Sequence, residues 1–269
     1  MEPFILIFFG LFGGLIAGLM GVGGGIIFTP VLYFMFDLAG VEDPVQWSVA
    51  SGLLCTFVAA TSSAIRQGLN KNLFVKEGIT LGIFGAVGIT AGKFVLTSGY
   101  YQREQFVVIF SLVLFWAAYM MFRKGRSKVK ELSDEEAILV PKAAFFTGGI
   151  GGFVASLAGV GGGGVMVPIM NIGYKIPFIK AVSISHLGMT LMILVGLIQL
   201  GLTSVSTPAI SPYTLGYIDL GAALPLALGG LVGAYAGAYF NHKIPRRFLQ
   251  RGFALLSVVM GGRLLLSVF

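Results

Sequence analysis

The chain has 269 residues, of which 56% are hydrophobic and 11% charged, where soluble domains carry roughly 25% charge. Apolar runs longer than about 18 residues recur along it, so it reads as an all-α polytopic membrane protein rather than a soluble domain. The net charge of +7 would suit nucleic acid, but the cations lie between apolar runs, where membrane orientation and anionic lipid headgroups account for them. Cys55 is the single cysteine and lies in an apolar run, which excludes a disulfide framework and a thiol metal site. The start, MEPF, lacks a basic n-region, so no cleavable signal is expected.

In chain order, apolar segments fall at about 4–36, 45–65, 78–98, 106–122, 143–174, 179–200, 216–240 and 247–268. The first contains GGLIAGLMGVGGGIIFTPVL at 13–32 and the fifth GGFVASLAGVGGGGVMVPIM at 151–170. At an offset of 138, Gly21, Gly23, Gly24 and Gly25 align with Gly159, Gly161, Gly162 and Gly163, and Pro30 with Pro168. Close helix packing explains Gly14 and Gly18 but not consecutive glycines, each costing a helix about 1 kcal/mol. A Gly-rich break copied at corresponding places in two halves points to a transporter's binding site. A straight helix over 4–36 would also run about 50 Å, beyond a hydrocarbon core of about 30 Å. Thr29-Pro30 reads as an N-cap followed by proline at the first helical position, so the helix is expected to restart there.

The second segment carries Ser48, Ser51 and Cys55 on one face, with Thr56 beside them, and the sixth carries Ser183, His186 and Thr190 at the same spacing, with Ser185. At an offset of 134, Ser51 aligns with Ser185 and Thr56 with Thr190. These hydroxyls serve either substrate contact or helix–helix hydrogen bonding. His186 is an ionisable residue within a span, and reads as either a proton-coupling group or an interhelical histidine. His242 lies in a basic loop and reads as solvated. Gly88 and Gly92 in the third segment, and Gly229, Gly233 and Gly237 in the seventh, recur every four residues as close-packing faces. Between the halves, 123–142 is the one long hydrophilic run and reads as an extramembrane linker, dividing a first repeat (1–122) from a second (143–269).

Orientation follows from the eighteen lysines and arginines. If each Gly-broken segment crosses the membrane, they divide ten to eight. If each enters, turns and leaves on the side it entered, Lys93, Arg103 and Arg263 stand on one side and fifteen on the other. The positive-inside rule favours the second arrangement. Each half then has three crossings and a re-entrant hairpin, the halves are inverted repeats, both termini face outside, and the linker is cytoplasmic.

Non-helical backbone at membrane depth is tolerated only when buried in protein or lining a cavity. Glycine turns expose backbone N–H groups, and a restarting helix adds its positive end, which together suit a small anion. The expected substrate-binding residues are Gly21, Gly23, Gly24, Gly25 and Thr29; Gly159, Gly161, Gly162 and Gly163; and Ser51, Thr56, Ser185 and Thr190. His186 is the proton-coupling candidate. No catalytic residue, metal or cofactor is expected: the spans carry no HExxH and the chain has two histidines. A literal G-x-G-x-x-G at Gly159, Gly161 and Gly164 follows no strand and does not read as a nucleotide site. A passive anion channel or a membrane assembly factor remains the alternative.

The spacing Gly14–Gly18–Gly21–Gly23–Gly24–Gly25, its second copy, the proline beyond and the two four-segment halves resemble the TauE/SafE sulfite-exporter family over essentially the whole chain. The second copy departs from the first in having Ser156 in place of Gly18. The resemblance implies a plasma-membrane transporter for sulfite, organosulfonates or related small anions, coupled to a proton or sodium gradient, with the lipid bilayer as its other partner and no nucleic acid. Substrate, direction and oligomeric state stay open.

Overall fold

The computed structural model describes residues 3–126, 137–205, 207–241 and 243–266. The central part of the linker, 127–136, and His242 lie outside the described residues. The helices are α1 (Pro3–Met20), α2 (Gly25–Leu38), α3 (Pro44–Leu69), α4 (Val75–Leu96), α5 (Arg103–Arg126), α6 (Pro141–Ala158), α7 (Gly163–Pro168), α8 (Phe178–Gly201), α9 (Leu220–Phe240) and α10 (Arg246–Leu265). A π-helical turn, Ile169–Gly173, extends α7, and two-residue strands pair Thr214 with Asp219 and Leu215 with Ile218. Among the described residues seven helices are long and apolar enough to cross a membrane. Large apolar side chains such as Ile83, Val87 and Phe94 on α4, and Leu224, Leu228 and Val232 on α9, are exposed. This is a multi-pass, all-α membrane protein, whose exposed apolar faces meet lipid rather than water.

The expected first and fifth segments are each split at the glycines. At Gly21–Gly24 the chain folds back, so that a Cβ at Gly13 would lie 2.5 Å from the Phe28 ring and one at Gly24 3.1 Å from the Gly13 carbonyl oxygen. The second copy does the same: a Cβ at Gly162 would lie 2.5 Å from the Gly151 carbonyl oxygen, and one at Gly151 would overlap Met166. One expectation is corrected. The helices restart at Gly25 and Gly163, not near Pro30 or Pro168, which fall inside or at the end of the restarted helix. The amides of Ile27 and Phe28 bond the Gly24 carbonyl, and those of Val165 and Met166 bond that of Gly162, so the glycine itself supplies the first helical acceptor and no side-chain cap is needed.

The two halves interlock. Helix α1 packs most extensively on α9, and α6 on α4, so the first arm of each hairpin lies against a helix of the other half. Glycines on both partners let the backbones approach: a Cβ at Gly10, Gly14 or Gly18 would overlap a backbone carbonyl of Leu226, Gly230 or Ala234, and one at Gly233 that of Leu11. On the other pair, a Cβ at Gly88 would overlap the Gly149 carbonyl and one at Gly152 that of Gly85. The expected close-packing glycines of the third and seventh segments therefore have scaffold roles. Helices α3 and α8 pack on each other, α3 lying against α9 and α1 and α8 against α4 and α6.

Candidate functional site

The two glycine turns have the same backbone form. Gly21, Gly23 and Gly24 have φ of 74°, 81° and 79°, and Gly159, Gly161 and Gly162 have 64°, 77° and 78°. L-residues rarely adopt this left-handed region, so the repeated glycines are dictated by the turn. The turns cross in contact with each other. A Cβ at Gly25 would overlap the Gly159 carbonyl, and one at Gly163 would overlap that of Gly21. Both turns meet the same two side chains: a Cβ at Gly23 would lie 2.6 Å from the Thr56 methyl and 3.0 Å from the Met189 sulfur, and one at Gly161 would overlap that methyl. Thr56 sits at the middle of α3 and Met189 at the middle of α8, which places the crossing at mid-depth of the helical bundle. Every residue from Gly21 to Pro30 and from Ala155 to Pro168 is buried.

Polar groups at the crossing are unevenly satisfied. Several carbonyls at the ends of the arriving helices are bonded by side chains. Ser185 Oγ donates to the Gly21 oxygen at 3.2 Å and Thr29 Oγ1 to the Gly159 oxygen at 2.9 Å. Tyr101 donates to Leu157 at 3.0 Å, and Asn241 donates to the equivalent Leu19. His186 Nε2 lies 3.0 Å from the Ala17 oxygen, so that nitrogen carries the donated proton. The amides of Val22, Gly23 and Gly24, and of Val160, Gly161 and Gly162, have no backbone carbonyl to donate to among the described residues. Thr56 Oγ1 and His186 Nδ1 are buried without a hydrogen-bond partner. An unmet buried polar group costs about 1–3 kcal/mol; the amides and the Thr56 hydroxyl are unmet donors, whereas His186 Nδ1, with the proton on Nε2, is an unmet acceptor.

The expected site residues are therefore only partly brought together. The eight glycines, Thr29, Thr56 and Ser185 meet at the crossing. Ser51 lies farther along α3, where its hydroxyl accepts the Asp219 amide at 3.0 Å and fixes the start of α9. Thr190 bonds back to the His186 carbonyl at 3.0 Å and meets the Thr61 hydroxyl at 3.4 Å. In space, Ser185 corresponds to Gly52 rather than Ser51: a Cβ at Gly52 would point at the Thr29 hydroxyl, which bonds Gly159 as Ser185 bonds the equivalent Gly21. The offset between α3 and α8 is therefore 133, because the reversal rather than the best letter match sets the register. Sequence reasoning missed Met189, Tyr101 and Asn241. Asn241 carries a helix-end signal, directly after an apolar span, whereas Met189 reads as ordinary core. Burial pushes the Tyr101 hydroxyl above its ordinary pKa, so it remains a donor. Among the described residues, no group of three or more His, Cys, Asp or Glu is placed to hold a metal.

The family model for the sulfite exporter TauE/SafE matches residues 6–264. A probable membrane transporter protein of Methanocaldococcus jannaschii is 31% identical over 257 residues, covering 96% of this chain and 93% of its own. One of Haemophilus influenzae is 28% identical over 272 residues, covering 97% of each chain. A Bacillus subtilis protein of the same description is 25% identical, covering 98% of each. No solved structure gives a significant match.

Proposed function

The chain belongs to the sulfite exporter TauE/SafE family, and from that premise we propose that it is a secondary transporter of small anions, sulfite or an organosulfonate foremost, across the plasma membrane. The observation that carries this reading is the set of unpaired donors at the crossing. The Gly21 and Gly159 carbonyl oxygens are bonded by side chains, while six turn amides and the Thr56 hydroxyl have no partner among the described residues. Such a donor set, at the start of α2 and of the restarted helix in the second copy, favours negative charge and needs no buried cation. A neutral site also releases its ligand more readily than a fixed charge would, which transport requires.

In this reading each glycine-broken segment is a re-entrant hairpin, entering from opposite membrane faces in two inverted repeats, 1–122 and 143–269. Both termini face outside and 123–142 is cytoplasmic, in keeping with fifteen of eighteen cations on that side. His186 is the candidate for proton coupling, lying on α8 one residue from the Ser185 hydroxyl that bonds the Gly21 turn. The test is flux of radiolabelled sulfite, sulfate and methanesulfonate in proteoliposomes under imposed pH and sodium gradients. Saturable, gradient-driven flux with competition among the anions is expected. Non-saturating flux would make the protein a passive channel, and no flux of any anion would favour an assembly role.

A further inference from the structure

We propose that Thr29 and Ser185 are positioning residues performing one task from different places in the two halves: each ties back the first carbonyl of a turn, so that this oxygen is turned from the ligand and the turn amides are left to face it. This rests on the anion reading above. Gly21 and Gly159 are equivalent positions of the two turns. The hydroxyl serving Gly21 comes from α8, at Ser185, and the hydroxyl serving Gly159 comes from the first hairpin, at Thr29. Each donor thus crosses to the turn of the opposite half.

The equivalents of these residues carry the complementary pattern. Position 167, corresponding to Thr29, is Val, and position 52, corresponding in space to Ser185, is Gly. A Cβ at Gly52 would lie 2.5 Å from Thr29 Oγ1, so the Thr29 hydroxyl fills the space that a side chain at 52 would take. One half therefore has Val on the hairpin and Ser on the central helix. The other has Thr on the hairpin and Gly on the central helix. Valine and threonine have nearly the same shape, so packing alone would be served by Val at both hairpin positions. What the two solutions share is one hydroxyl on the first carbonyl of each turn. The electrostatic reason is direct: an untied carbonyl oxygen at a closed crossing presents negative charge to an anion, and a hydroxyl donor withdraws it.

The test installs one half's solution in the other. Thr29→Val keeps the shape and removes the donor, and Thr29→Ala removes both. Thr29→Ala/Gly52→Ser moves the hydroxyl to the central helix, as in the second half. Sulfite KM in proteoliposomes is read beside thermal melting in detergent. Thr29→Val and Thr29→Ala are expected to raise KM roughly tenfold, the size of one hydrogen bond in a charged site. The double variant is expected to recover most of that loss relative to Thr29→Ala. A wild-type KM in folded Thr29→Val, or no recovery in a folded double variant, would overturn the positioning role. If a variant fails to fold, Ser185→Ala with the same KM measurement makes the test on the other turn. Absence of flux of any anion through the wild-type protein would instead remove the anion reading on which the proposal rests.

Discussion

Replacing Thr56 by Val should move stability and affinity in opposite directions. Thr56 is fully buried, its methyl packs against both glycine turns, and its hydroxyl has no partner. Valine keeps the methyl in place and substitutes a second methyl for the hydroxyl. Without ligand, removal of a buried unpaired hydroxyl relieves a cost of about 1–3 kcal/mol. The detergent-solubilised variant should therefore melt no lower than wild type, and by a few degrees higher. With ligand, the same change removes a hydrogen bond to a charged group, about 1.5–3 kcal/mol, equivalent to roughly a 10- to 150-fold loss of affinity. The assay pairs KM for sulfite uptake with melting curves at zero and saturating sulfite; the ligand-induced rise in melting temperature should shrink in the variant. A lower melting temperature without ligand, together with unchanged KM, would mean that the hydroxyl has a scaffold partner and no ligand role.

Gly23→Val or Gly161→Val should abolish transport while the protein still inserts and purifies, because an added side chain meets Thr56 and Met189 at the crossing; substantial flux from either would refute the turn site. Gly88→Val or Gly233→Val should act on stability first, by about 1–3 kcal/mol or more of overpacking against the Gly149 or Leu11 backbone, seen as a lower yield of monodisperse protein. His186→Gln preserves a donor for the Ala17 carbonyl but cannot titrate, so flux should persist with a flattened pH profile; an unaltered profile would leave His186 with an interhelical role only. In a Cys55→Ser background, a cysteine at position 128 should be labelled by an impermeant thiol reagent only after the cells are opened. Labelling on intact cells would reverse the orientation.

The elements of the fold most legible from sequence were those that repeat within it. Consecutive glycines cannot sit in a helix without cost, and their recurrence at 138 residues located both turns and the crossing. The spans were legible as apolar runs, and Gly88 and Gly233 as packing faces, because spacing alone makes such stripes. Thr29-Pro30 misled, since a proline can be carried inside a helix whose first acceptor is a glycine carbonyl. The pairing of Ser51 with Ser185 slipped by one residue because matching letters compete with an unseen register. Nothing local in α1 announces α9 as its partner: glycine faces state that a helix will come close, not which one. The tying of the helix-end carbonyls was equally hidden, since the donors arrive from Tyr101, Asn241, Ser185 and Thr29, scattered over more than 200 positions.

The interlocking of the halves has a consequence for biogenesis. Helix α6 meets α4 within a short stretch of chain, but α1 must wait for α9, which begins at Leu220. At translation speeds of about 5–20 residues per second, that wait lasts roughly 10–40 s. Throughout it the glycine-lined flank of α1 has no mate, and the first hairpin stands beside lipid or the insertion machinery. The two contacts between the halves are thereby made at different times, the pair of α4 and α6 early and the pair of α1 and α9 last. Defects at Gly88 strike a young intermediate, whereas defects at Gly233 strand an almost finished chain, so the two lesions meet cellular quality control at different moments.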